Sequence, residues 1–229
     1  MARSQQLVQT FPRVGPMLEE FREHLPYTVF AALTALGLLG GLVFLAGLGG
    51  RASFLPRASE DLFHAMHFLH LFLSAMATTA VFWRYDRKVV KAVIIGLVGT
   101  ALPCGASDIL FPLMGGRLMG IQVTAHICFV EHPVMVWPFM AAGILAGFIL
   151  PSRKPASHLA HGGHVFISST ATMLYLVAFG TADWIRLAPF IFVLLVAAVM
   201  VPCCTSDIVF PMLMTSPDRP DHCASHRPL

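Results

Sequence analysis

The chain has 229 residues, of which 56% are hydrophobic and only 12% charged. A soluble domain carries about 25% charged residues, so a water-soluble globule is excluded and an integral membrane protein is indicated, with the lipid bilayer as its first partner. A net charge of +3, scattered along the chain, is too small for a nucleic-acid partner. The 18 Gly and 16 Pro suit membrane helices better than soluble ones.

Residues 1–25 mix Arg, Glu and Gln and contain no apolar stretch of signal-peptide type. They read as a polar cytoplasmic segment, with a short surface helix over 14–24. The first spanning helix is expected over 27–49 and serves as the insertion signal. A loop at 50–60 leads to a second helix over 61–83. The charged turn Arg84-Tyr85-Asp86-Arg87-Lys88 leads to a third over 89–113. Each run is near the ~20 residues that cross a bilayer. Residues 114–132 hold Arg117, Gln122, His126 and Glu131, too polar to span. They form a connecting loop with an interfacial or re-entrant piece. Further helices are expected over 133–150, 160–182 and 187–213, before a polar tail at 214–229.

Charge orients the chain. With the N-terminus inside, eleven Lys and Arg fall in inside segments and four (Arg51, Arg57, Arg117 and Arg186) outside. That positive-inside bias places both termini in the cytoplasm, in a multi-pass protein of the cell (inner) membrane.

The chain repeats itself. Pro103-Cys104-Gly105-Ala106-Ser107-Asp108-Ile109-Leu110-Phe111-Pro112 returns as Pro202-Cys203-Cys204-Thr205-Ser206-Asp207-Ile208-Val209-Phe210-Pro211, with seven of ten positions identical. His64-x-x-His67-x-x-His70, followed by Ser74 and Thr78, returns as His158-x-x-His161-x-x-His164, followed by Ser168 and Thr172. Glu23-His24 and Glu131-His132 are a weaker third match. An internal duplication follows. Each copy holds three helices, repeat 1 over 26–113 and repeat 2 over 133–213. An odd number of crossings inverts the second copy. The expected fold is an all-α integral membrane protein of six transmembrane helices, arranged as two three-helix inverted repeats, an organisation found in secondary transporters.

Residues three apart on a helix share a face, so each histidine row forms a stripe. Counting from the short turn between helices two and three, His70 and Cys104 fall at similar depth, as do His164 and Cys203. Inversion is expected to place one cluster toward each face. The outer cluster is His64, His67, His70, Cys104, Ser107 and Asp108, joined by Glu131 and His132. The inner cluster is His158, His161, His164, Cys203, Ser206 and Asp207, joined by Glu23 and His24. Imidazole, thiolate and carboxylate together suit Zn, Cu, Ni or Fe rather than Mg or Ca. Ionisable groups inside spanning helices are costly and mark ion paths or active sites.

Plainer readings stand beside this one. Cys104 and Cys203 would serve equally well as small packing residues, and Asp108 could cap backbone or pair with Arg117. His126 and Cys128 fall in the connecting segment and carry little weight. The tail group His222, Cys223 and His226 reads as solvated. The 5 cysteines, an odd number, argue against a disulfide framework. No P-loop, H-E-x-x-H or G-x-S-x-G motif occurs, and no catalytic residue is assigned.

The function expected first is a transporter or channel for a transition-metal cation. The alternatives are a histidine-rich membrane metalloenzyme, an oxidoreductase or hydroxylase with a di-metal site, and a non-metal channel or assembly subunit. Two separated clusters would mark transport, and one shared cluster an enzyme. A homo-oligomer is compatible with the sequence, although six helices suffice for a bundle.

Overall fold

The computed structural model describes residues 14–149, 157–180, 184–204 and 214. These residues are helical, with no strand among them. Helix α1 covers Val14–Leu48, α2 Leu55–Tyr85 and α3 Val89–Gly105. A π-helical turn, Ala106–Leu110, carries α3 directly into α4, Phe111–Leu118. The short α5, Cys128–Glu131, precedes α6, Pro133–Ile149. Helices α7, Ser157–Phe179, and α8, Ala188–Cys204, complete the described chain. Ser206 and Asp207 lie outside the described residues, as do the side chains of Glu23, His158 and His161.

Among the described residues, five helical stretches are long and apolar enough to cross a membrane: His24–Leu48, Leu55–Arg84, Val89–Leu118, Gly162–Phe179 and Ile185–Cys203. Helix α6 is apolar but shorter, at 17 residues. The surface helix and first span expected separately are one helix, which continues through Pro26. Helix α2 starts earlier than expected because Pro56 sits in its first turn, where its missing N–H costs nothing.

The third span does not break at its prolines. Proline in a helix crowds the carbonyl four residues before it, and for Pro112 that carbonyl belongs to Asp108. The turn there is widened, with the N–H of Phe111 donating to the carbonyl of Ala106 five residues back. Such single π-turns cluster at functional sites.

The segment after α4 does not cross. Gly120, at φ 79°, takes a left-handed conformation that suits glycine. The Ile121 N–H returns to the Gly116 carbonyl at 2.9 Å. The chain then folds back on α7. Thr124 N–H donates to the Phe179 carbonyl at 2.8 Å, and His126 N–H to the Tyr175 hydroxyl at 3.0 Å. Residues 121–128 therefore stay at one end of the bundle.

Side-chain pairs give the helix directions. Phe68 meets Phe139 at 5.7 Å, Gly143 rests on the Phe72 carbonyl and Gly147 on that of Met76. Helices α2 and α6 are therefore parallel. His70 meets His164 at 4.5 Å, while Phe63, two turns earlier, meets Tyr175 at 5.3 Å and Phe179 at 5.6 Å. Helices α2 and α7 are thus antiparallel. Thr28 of α1 donates to the Met200 sulfur of α8 at 3.1 Å, and Gly40 lies beside Trp184. Helices α1 and α8 are therefore also antiparallel.

The spans on α2 and α7 are the most buried, at 50% and 61%, against 22% to 33% for the other three. They form the centre. The interior mixes large apolar side chains such as Phe63, Leu71, Met140 and Leu195 with polar ones: Ser74, Thr78, Thr100, Ser107, Asp108, Ser168 and Thr172 are all at 0% exposure. Leu33, Leu42, Leu45, Val90, Leu102, Leu145 and Val193 face outward. In lipid, helices associate through small residues and hydrogen bonds rather than by hiding apolar surface, and this distribution follows that rule. Gly143-x-x-x-Gly147 brings α6 onto the α2 backbone in the same way.

A Cβ added at Gly143 would meet the Phe72 carbonyl and the Ala75 methyl. Gly143→Ala should therefore lower stability by about 1–3 kcal/mol, as overpacking does, read as a lower thermal unfolding midpoint in detergent. Gly41→Ala, with nothing within 4 Å, should leave the midpoint unchanged or raise it.

Candidate metal centre

Among the described residues, two groups of nitrogen and sulfur donors, buried except for the half-buried His64, are built around α2. The first is central. The carboxylate of Asp108, carried on the π-turn, is wholly buried. Its Oδ2 accepts from Nδ1 of His67 at 2.9 Å and from Nδ1 of His70 at 2.7 Å. Its Oδ1 accepts from the hydroxyls of Ser107 at 2.7 Å and Ser168 at 3.1 Å. A buried charge is tolerable only when paired and hydrogen-bonded, and these four donors meet that need. Thr172 donates to the carbonyl of Ser107 at 3.1 Å, tying α7 to the π-turn.

An ionised carboxylate only accepts, so each Nδ1 carries its proton and each Nε2 points away from Asp108. The Nε2 of His70 lies 3.7 Å from the sulfur of Cys104 and 3.7 Å from that of Cys203. The ligand atoms of His70, His164 and Cys203 all lie within 4.8 Å of one another. The hydroxyl of Ser168 approaches the Cys203 sulfur at 3.6 Å. Histidines that bind metal commonly direct their other ring nitrogen to a carboxylate, which fixes tautomer and ring orientation. Asp108 stands in that position, behind the histidines, with both oxygens occupied. The Nε2 of His67 is buried and has no hydrogen-bond partner among the described residues; its ring stacks on Phe63 at 5.4 Å.

The second group lies toward the N-terminal end of α2. His64, His126 and Cys128 place their ligand atoms within 4.8 Å of one another. The two Nε2 atoms of His64 and His126 are 2.9 Å apart, and Nδ1 of His126 meets the Glu131 carboxylate at 2.8 Å. The ring of His132 is 4.6 Å from that of His64. Burial holds the His126 imidazole below the ordinary histidine value, and His132 acts the same way, against the opposing pull of Glu131. Burial also pushes the Cys128 thiol up to about 12.

The expected outer cluster is thus divided. His70, Cys104, Ser107 and Asp108 join the centre, with His67 held to the same carboxylate. His64, Glu131 and His132 belong to the other group. The expected separation of the two histidine rows is corrected: His70 and His164, the last member of each row, meet. Antiparallel packing of α2 and α7 brings those two positions to one depth. His24 is partly buried on α1, where its carbonyl accepts from Thr28 at 3.1 Å. His126 and Cys128 were undervalued, although residues two apart in an extended segment share a face. Ser168 and Thr172 were visible only as repeat markers.

No protein-family description, curated protein or solved structure matches this chain. Fold and site define a class: a helical, multi-pass membrane protein with buried His/Cys groups that could hold a metal ion.

Asp108→Ala would strand two ring N–H groups and two hydroxyls. It should cost about 3–5 kcal/mol, as breaking a buried charged pair does. Ser168→Ala removes one donor and should cost about 1 kcal/mol. Unfolding midpoints of the two variants in one detergent give the comparison.

Proposed function

We propose that this chain carries a transition-metal cation across the cell membrane, as a six-helix bundle of two inverted three-helix repeats. The observation that supports it most is the meeting of repeat-equivalent residues. His70 and His164 are in ring contact, and the sulfurs of Cys104 and Cys203 flank His70 equally. Two inverted copies are related by a pseudo-twofold axis in the membrane plane, and in secondary transporters the substrate sits near that axis, at mid-depth. Equivalent side chains close to such an axis must face each other.

Helix packing fits the same symmetry. Exchanging the repeats exchanges α1 with α6 and α2 with α7, so the parallel pair α2–α6 predicts a parallel pair α1–α7. Ala31 of α1 packs in one cluster with Val165 of α7, and further along Gly40 lies beside Trp184, just past the end of α7. In this reading α6 is the fourth of six crossings, and both termini are cytoplasmic.

The donors set the class of ion. Nitrogen and sulfur suit Zn, Cu, Ni or Fe(II). Two histidines with one or two thiols hold such an ion less firmly than four thiolates, and transport needs release as well as binding. Asp108 orients His67 and His70. His67 stands on α2 between His64 and His70, and its Nε2 is buried without a hydrogen-bond partner among the described residues, as a relay along α2 would require.

A second reading has its own support. Convergence of both rows on one cluster suits a membrane metalloenzyme with a single centre. Among the described side chains, however, the two rows meet through His70 and His164, and His64 belongs to a different group.

The test uses purified protein in vesicles enclosing a zinc-sensitive dye. External Zn2+ should enter faster than into empty vesicles. His70→Ala and Cys203→Ser should each slow entry at least tenfold and remove central bound metal by elemental analysis. Zn2+ bound at the centre with no flux for Zn2+, Cu+, Ni2+ or Fe2+ would overturn transport in favour of the enzyme.

A further inference from the structure

We infer that His64, His126 and Cys128 form a second, separate metal site at the rim of the bundle, for a borderline-soft divalent cation such as Zn2+ or Co2+. It rests on its own geometry, and shares no side chain with the centre.

Three observations carry it. The donors come from two parts of the chain and converge: their ligand atoms all lie within 4.8 Å, with His126 at 7% exposure and Cys128 at 0%. The backbone that presents them is fixed. His126 N–H donates to the Tyr175 hydroxyl at 3.0 Å, and the imidazole of His126 stacks on Phe179 at 4.4 Å and 10°. Finally, Glu131 sets the ring. Its Oε2 accepts from the Nδ1–H of His126 at 2.8 Å, while its Oε1 accepts from Ile127 N–H at 3.0 Å. A carboxylate on the far nitrogen is the arrangement that supports a metal-bound histidine.

With its proton kept on Nδ1 and hydrogen-bonded to Glu131, neutral His126 presents a lone pair at Nε2. His64 Nε2, at 2.9 Å, donates to that lone pair while the site is metal-free. Two nitrogens bound to one tetrahedral zinc at 2.0–2.1 Å stand roughly 3.3 Å apart, so a small outward shift admits the ion. On binding, His64 moves its ring proton from Nε2 to Nδ1, and the Cys128 thiol proton leaves to solvent. Each ion therefore releases one proton, as metal binding to protonated ligands requires.

Three protein ligands leave a fourth position. Structural zinc sites are closed by four ligands, whereas sites that exchange keep one open. The half-buried His132 lies beside this position, its ring 4.6 Å from that of His64 and 5.4 Å from that of His126. Glu131 is 46% exposed at the rim. The site is built to take an ion from water and give it up again.

Cobalt chloride titrated into the detergent-purified full chain is the test, read by visible absorption and elemental analysis. With the centre disabled by Cys203→Ser, the chain should bind a Co2+ ion with a sulfur-to-cobalt band that is lost when His126→Gln/Cys128→Ser is added, and in the wild-type background that double variant should hold one ion fewer. Glu131→Gln should keep the ligands and weaken this ion by about 10–100-fold. Cys203→Ser should leave the rim ion untouched, so that a failed centre and a failed rim site are told apart. If His126→Gln/Cys128→Ser folds and keeps both stoichiometry and spectrum, the inference is overturned. If it fails to fold, unchanged Co2+ affinity in Glu131→Gln overturns it instead, and the stated weakening supports it.

Discussion

A full negative charge sits in the middle of an apolar bundle, and the rest of the structure is arranged to keep it there. Asp108 cannot be solvated by lipid. Its two oxygens collect donors from α2, from its own π-turn and from α7. Those four bonds decide the tautomers of His67 and His70, turn their free nitrogens away, and hold the centre of α7 against the third span. Isolated in hydrocarbon, such a charge would cost many kcal/mol. The network is therefore a condition of folding as much as of function.

The bundle around it is held by close approach. Small residues let the backbones touch, and hydroxyls lie between the helices among buried leucines and aromatics. A further set of large apolar side chains faces outward. Packing and hydrogen bonding replace the hydrophobic effect as the source of cohesion.

Much of this was legible in the amino-acid order. Apolar runs marked the spans, and the matching depths of His70 and Cys104 followed from a turn count; their 3.7 Å contact agrees. The meeting of His70 with His164 was hidden, because residue spacing along one helix says nothing about which helix lies opposite. The role of Asp108 was hidden for a related reason: a carboxylate beside histidines looks the same whether it binds the ion or stands behind the ring. Pro112 does not interrupt the third span, because one widened turn carries the helix past it. Gly143-x-x-x-Gly147 was readable and passed over, since both glycines lay in a run dominated by larger apolar neighbours. His126 and Cys128 were discounted for sitting in a loop, yet both side chains are buried.

The contact of α6 with α2 has a mechanical result. Gly143 and Gly147 rest on main-chain oxygens of α2, so the two rods touch backbone to backbone there. Such a pair pivots as one solid piece. Any rocking that exposes the interior first to one compartment and then to the other must take place along the opposite seam, where α7 meets α2 through rings, hydroxyls and sulfur that can re-form their contacts.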